Sequence, residues 1–262
     1  MDVAGRVSRA TESYEYATAG GFTLETDKIN KLRENLPKNL PKWKTATISD
    51  IKKVSNYICE NVIFCSAVCL DKNTEQWPIF WENAETYHQK LASASKMRTG
   101  YVKAANVIRY WLFGQCAAPL LAETIKKIGK PKILDPHGLG IIEVDIVCHS
   151  DIQGHDNIEA FKSCWEQFEK SQEKTNQLGL RIMLKDVKIL SEQDKPLILI
   201  ADYIAGICNA LFGAGKVSAP DSLDLDDIKT ELDKINDTGK ILVIGEKFNL
   251  AYKDIFTNFE AI

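Results

Sequence analysis

No stretch of the 262 residues is apolar and long enough to cross a bilayer. The most apolar run, 197–212, contains Asp202 and Asn209 and falls short of the ~20 residues that a span requires. The first residues, MDVAGRVSRATESYEY, lack the apolar core of a secretory signal, so the expected compartment is the cytoplasm. Positive charge is not in excess: the net charge of −3 gives no global attraction for nucleic acid, and any such binding must be local. The seven cysteines, Cys59, Cys65, Cys69, Cys116, Cys148, Cys164 and Cys208, are odd in number and include no CxxC pair. Buried free thiols therefore fit better than disulfides or zinc, which needs clustered ligands. There is no phosphate-binding glycine loop, internal repeat or low-complexity tract, which removes the commonest nucleotide-binding and solenoid readings.

What is present is the composition of a folded globular protein, 45% hydrophobic and 26% charged, in a chain long enough to bury a sizeable core. Residues 14–24 (YEYATAGGFTL) read as a strand, and 27–36 as an amphipathic helix with Ile29, Leu32 and Leu36 on one stripe, ended by Pro37 and Pro41. A second helix is expected over 49–60, capped by Ser49, followed by a strand at 61–70 (NVIFCSAVCL) buried on both faces. Residues 87–128 are helical with interruptions at Gly100, Gly114 and Pro119. Then come a strand at 141–148, a helix at 156–177, a strand at 180–190 and a nearly all-apolar helix at 196–212. A loop at 215–226, an acidic exposed helix at 224–236 and the strand-like ILVIG close the pattern.

Three acids stand out for where they sit. Asp202 interrupts an apolar helix, PLILIADYIAGICNALFG, and burying a carboxylate without a partner is very costly. Either it lies on a narrow polar stripe or it faces a cation or base, and the small neighbours Ala205 and Gly206 permit close packing on a sheet. Asp145 lies in the strand IIEVDIVC with Glu143 two residues before it, so both carboxylates leave the same face. They either form a site or mark a face that meets water. Asp2 is the weakest case, since an acid at that position is ordinarily solvated. Together the three provide the hard oxygen ligands that magnesium or manganese prefers, and such ions polarise phosphodiesters and activate water.

These residues give the chain a resemblance to the domain-of-unknown-function 3800 family, found in bacteria and their mobile elements. Members open with Asp-Glu-Ser-Gly, matched by Asp2-Val3-Ala4-Gly5, and follow with a strand ending in Gly-Gly, matched by Ala19-Gly20-Gly21-Phe22. A Glu-x-Lys segment corresponds to Lys42-Trp43-Lys44, keeping Lys44. A mid-chain acid corresponds to Asp145. A late serine and a Leu-Gln-x-Ala-Asp-x-x-Ala-Gly helix correspond to Ser191 and Leu199-Ile200-Ala201-Asp202-Tyr203-Ile204-Ala205-Gly206, with Leu199 where the family has glutamine. The resemblance covers roughly residues 1–212. It implies an α/β fold of ribonuclease H-like type, a mixed five-stranded sheet flanked by helices; the chain's own pattern adds a helical insertion at about 82–130 within a domain at 1–213, and a C-terminal appendage at 214–262 packed on the same domain, which the resemblance does not explain. It also implies a nuclease-like hydrolase using Mg²⁺ or Mn²⁺. Asp2, Asp145 and Asp202 would be its catalytic metal ligands, Glu143 a further ligand, and Lys44 a phosphate contact. Val3, Lys42 and Leu199 depart from the family pattern. A catalytically degenerate relative that binds a protein or nucleic-acid partner is the alternative.

Lys42, Lys44, Lys52 and Lys53 with Trp43 form the most basic stretch, able to hold a phosphate backbone and stack a base, or simply to solubilise a loop. Of the four histidines, His149 and His155, with Asp151 and Asp156, make a loose polar group that reads either as a general base or metal ligand or as a solvated loop; His88 and His137 stand apart. Trp77, Phe80, Trp81 and Tyr87 read as core or cover of the helical region, or as a partner surface if exposed.

Overall fold

A computed structural model describes residues 1–5, 16–24, 29–72, 77–95, 104–128, 134, 136, 138–148, 162, 180–189, 195–212 and 215–245. The strands are β1 (Asp2–Gly5), β2 (Tyr16–Thr23), β3 (Phe64–Asp71), β4 (Gly140–Cys148), β5 (Leu180–Ile189) and β6 (Ile241–Ile244). The helices are α1 (Ile29–Glu34), α2 (Ile48–Asn61), α3 (Trp77–Ser95), α4 (Ala104–Ile128), α5 (Lys195–Phe212) and α6 (Leu225–Asp237), with short 3-10 turns at Trp43–Thr45 and Gly215–Ser218. The fold is mixed α/β with a mixed sheet.

Strand β3 is the middle of the main sheet, and all eight of its residues are buried, as the apolar run FCSAVCLD demands of a strand covered on both faces. It pairs antiparallel with β2, which pairs antiparallel with β1, and on its other side it pairs parallel with β6 through Cys65↔Ile241 to Val68↔Ile244. Strands β4 and β5 form a separate parallel pair with a register shift between Val144 and Asp145. Among the described residues the strands form a four-stranded sheet and a two-stranded one, and not the single five-stranded sheet expected. They approach where the Met1 nitrogen donates to the Val147 carbonyl at 2.9 Å.

Alternation along the strands divides the interior into two cores. Ala17, Ala19, Phe64, Val68 and Leu70 face α3 and α4, which bring Trp77, Phe80, Trp81, Ile108 and Leu112, and Ile146 of β4 and Val187 of β5 join the same core. Cys65, Ala67 and Cys69 face the opposite layer, α2, α5 and α6, with Ile51, Ile58, Ile204, Ile228 and Ile235. Trp77, Phe80 and Trp81 are thus core, and Tyr87 packs against them.

The two glycines of β2 fit this division. A Cβ on Gly20 would lie 2.5 Å from the Ala205 nitrogen and 2.9 Å from the Ala201 carbonyl oxygen, so α5 rests directly on the strand backbone. A Cβ on Gly21 would meet Met1 and, from α4, Leu120 and Cys116 on the other face.

Several local expectations are corrected. The cap of α2 is Thr47 rather than Ser49. Its hydroxyl accepts from the Asp50 N–H and the Asp50 carboxylate accepts from the Thr47 N–H, a reciprocal capping box that ties off two helix-end donors. Gly114 and Pro119 do not interrupt α4, which runs through both. Helix α6 is not simply exposed: Ile228, Glu231, Leu232 and Ile235 form a buried stripe. The strand-like ILVIG contributes β6 to the main sheet. The cysteines 59, 65, 69, 116 and 208 are free thiols, all buried except the half-buried Cys59. The helix expected at 156–177 lies outside the described residues apart from Lys162, as do His137, His149, His155, Asp151, Asp156, Cys164 and Ser191.

Candidate carboxylate site

Face assignment follows from the ladders. Met1 and Val3 pack against the α3–α4 core, so Asp2 between them projects to the other side. Its cross-strand partner is Gly20, the residue on which Ala201 and Ala205 of α5 rest. In β4, Val144 and Ile146 face the α3–α4 core, so Glu143 and Asp145 also project away from it. Asp202 follows Ala201 on α5. Asp2 therefore lies on the side of β1 that α5 covers and Asp202 follows a residue that rests on the same Gly20, whereas Glu143 and Asp145 lie on the face of β4 turned away from the α3–α4 core.

Each acid differs in environment. Asp202 is half-buried, and its Oδ2 accepts the backbone N–H of Trp43 at 3.0 Å. Trp43 opens a 3-10 turn whose preceding residue, Lys42, offers no side-chain cap, so the Asp202 carboxylate fills that role from a distant helix. The charge that looked expensive in an apolar helix is thus met by a backbone dipole. Asp2 is half-buried, with Oδ1 accepting the Val3 N–H at 2.8 Å. Asp145 is exposed and stands opposite Asp186 across the β4–β5 ladder. Glu143 is 58% exposed at its side chain and is engaged by Lys185 at 2.9 Å, so its face of β4 meets water.

Trp43 is not a base-stacking platform. It is 4% exposed, its ring lies against Gly206, and it makes an edge contact with Tyr203 at 5.8 Å between centroids. Its indole Nε1 donates to the Ser218 carbonyl at 2.8 Å. Lys42 and Lys44, on either side, are exposed. The same corner contains the buried Tyr203, whose hydroxyl is pushed up by burial and further by the Asp50 and Asp202 carboxylates.

Among the described residues no three His, Cys, Asp or Glu side chains converge as a ready metal cage. The donors nevertheless fit magnesium, which is commonly held by one or two carboxylates and keeps several of its waters. The contact between Trp43 and Asp202, the feature on which the corner is built, has no signature in sequence periodicity. The acid's place in an apolar helix was the one usable signal.

Compared with models of known protein families, with curated proteins and with solved structures, the chain matches none.

Proposed function

We propose that this chain is a ribonuclease H-like, divalent-cation-dependent hydrolase of RNA or DNA phosphodiesters, with Asp2, Asp145 and Asp202 as its catalytic carboxylates and Mg²⁺ or Mn²⁺ as its cofactor. The observation that supports this reading is that Asp2 and Asp202, remote in sequence, both border Gly20, Asp2 as its cross-strand partner and Asp202 next to Ala201, while β4, which carries Asp145, approaches β1 through the Met1–Val147 contact. The succession of strands and helices, with an antiparallel β1–β2–β3 unit followed by α3, α4, β4, β5 and α5, supports the ribonuclease H-like part of it.

When bound, the ion would polarise the phosphodiester and lower the pKa of the attacking water. The chain's own residues do the rest. Asp2 and Asp202 supply half-buried carboxylate oxygens, and exposed Asp145 supplies one open to solvent. The Lys42 and Lys44 ammonium groups draw the phosphate backbone to a protein whose net charge would otherwise repel it.

A second reading has its own observation. Asp202 already has a structural task in capping the Trp43 turn, as expected of a catalytically degenerate scaffold that binds a protein or nucleic-acid partner. Incubation of labelled single- and double-stranded RNA and DNA with Mn²⁺ separates the two. The hydrolase reading expects cleavage by the parent and none by Asp202→Asn. Cleavage that survives this substitution removes Asp202 from the chemistry, and cleavage of no polymer favours the scaffold.

A further inference from the structure

The geometry points to Trp43 as a positioning residue that ties the C-terminal part of the chain to the Asp202 carboxylate; this rests on reading Asp202 as a site residue. Trp43 uses both of its N–H groups across long sequence distances. The backbone N–H holds Asp202 Oδ2 at 3.0 Å, and the indole N–H holds the Ser218 carbonyl at 2.8 Å. Between these two bonds the ring is wedged against α5, where a Cβ on Gly206 would lie only 2.4 Å from it. Gly206 and Asp202 are one helical turn apart, so the ring and the backbone N–H grip the same stripe of α5.

A second tie reinforces the first. The Ser222 hydroxyl donates to the carbonyl of buried Ala46 at 3.2 Å, and the Ala46 N–H closes the turn on the Trp43 carbonyl at 3.0 Å. The segment from Ser218 to Ser222 thus clamps the Trp43–Thr45 turn at both ends. Its position sets where the donor to Asp202 sits and where Lys42 and Lys44 emerge. The C-terminal region therefore does more than extend the sheet with β6: it fixes the orientation of a carboxylate oxygen.

The test uses the full chain. Trp43→Phe keeps the backbone N–H and an aromatic ring but removes the indole donor, and Ser222→Ala removes the second tie at an exposed position. The readout is the Asp202 carboxyl-carbon resonance, together with amide exchange at residue 43. Trp43→Phe is expected to shift the Asp202 resonance and speed exchange at residue 43 roughly tenfold, the order expected for loss of one neutral hydrogen bond. Ser222→Ala should move both in the same direction by less. With Mn²⁺ alone as a probe, paramagnetic broadening of that resonance should weaken in both variants. An Asp202 resonance unchanged in Trp43→Phe overturns the proposal; if that variant does not fold, an unchanged resonance in Ser222→Ala does so. Absence of Mn²⁺ broadening in the parent would count against the cation reading instead, while the metal-free resonance still decides the tie.

Discussion

Gly20 of β2 and Ala205 of α5 meet backbone to backbone: a Cβ on the glycine would stand 2.5 Å from the Ala205 nitrogen and 2.8 Å from its Cα. Neither partner is a flexible side chain that can step aside, so Gly20→Ala must push α5 off the sheet. The expected cost is about 3 kcal/mol, the upper part of the overpacking range, read as a lower urea midpoint with an unchanged slope. The same shift would carry Asp202 away from Asp2.

Asparagine and alanine at position 202 should separate the two tasks of that residue. Asp202→Asn retains an acceptor for the Trp43 N–H and is expected to change stability by less than ~0.5 kcal/mol, whereas Asp202→Ala leaves the turn uncapped and costs about 1 kcal/mol. Chemical denaturation measures both. Equal losses in the two variants would mean that charge, and not the cap, is what the fold needs there.

Replacing Lys42 and Lys44 together by alanine is expected to weaken nucleic-acid binding without altering the fold, since both are exposed. Two lost phosphate contacts lower the salt dependence of log K by about 1.4 for a single strand and about 1.8 for a duplex. Titrations over a range of KCl concentrations give the slope directly. An unchanged slope would place the phosphates elsewhere.

Burial would push Asp50 up from its ordinary 3.8, but the Thr47 hydroxyl and backbone N–H, with Lys53, more than offset that and hold its carboxyl below the usual value. A depressed folded-state pKa contributes stability that is fully present above the unfolded value and is lost as pH falls through the folded one. The stability gap between the parent and Asp50→Asn should therefore stay constant above about pH 4 and close in stronger acid. Unfolding curves collected from pH 7 down to pH 2.5 test this.

Tyr203 is fully buried, and its hydroxyl has no hydrogen-bond partner among the described residues. Tyr203→Phe keeps the edge contact with Trp43 and removes an unsatisfied polar atom, so it is expected to be neutral or to stabilise by about 1 kcal/mol. A loss of more than that would reveal a partner for the hydroxyl.

Much of the architecture was legible because periodicity encodes burial. The run through Cys65, Val68 and Leu70 announced a strand covered on both sides, and the small residues Ala205 and Gly206 announced a helix pressed close to its neighbours. What periodicity cannot carry is long-range pairing. Trp43 among lysines looked like an exposed aromatic, yet its burial depends on Gly206 and Ser218, far along the chain. Asp145, set among branched residues, reads as central, but a strand with only one well-covered face leaves Glu143 and Asp145 in water. Thr47 and Ser49 are both competent caps; the reciprocal bond with Asp50 decides between them, and that depends on where the first helical turn begins.

The main sheet is assembled from the far ends of the described chain, with Asp2–Gly5 at one border and Ile241–Ile244 at the other. During synthesis, then, β3 must wait with one flank bare until residues near 241 have left the ribosome. Such delayed, non-local closure slows folding and leaves a hydrophobic strand edge available for wrong pairing meanwhile. Chains stalled before β6 would be natural clients of chaperones, and a truncation there would reveal itself by aggregation sooner than by any lost chemistry.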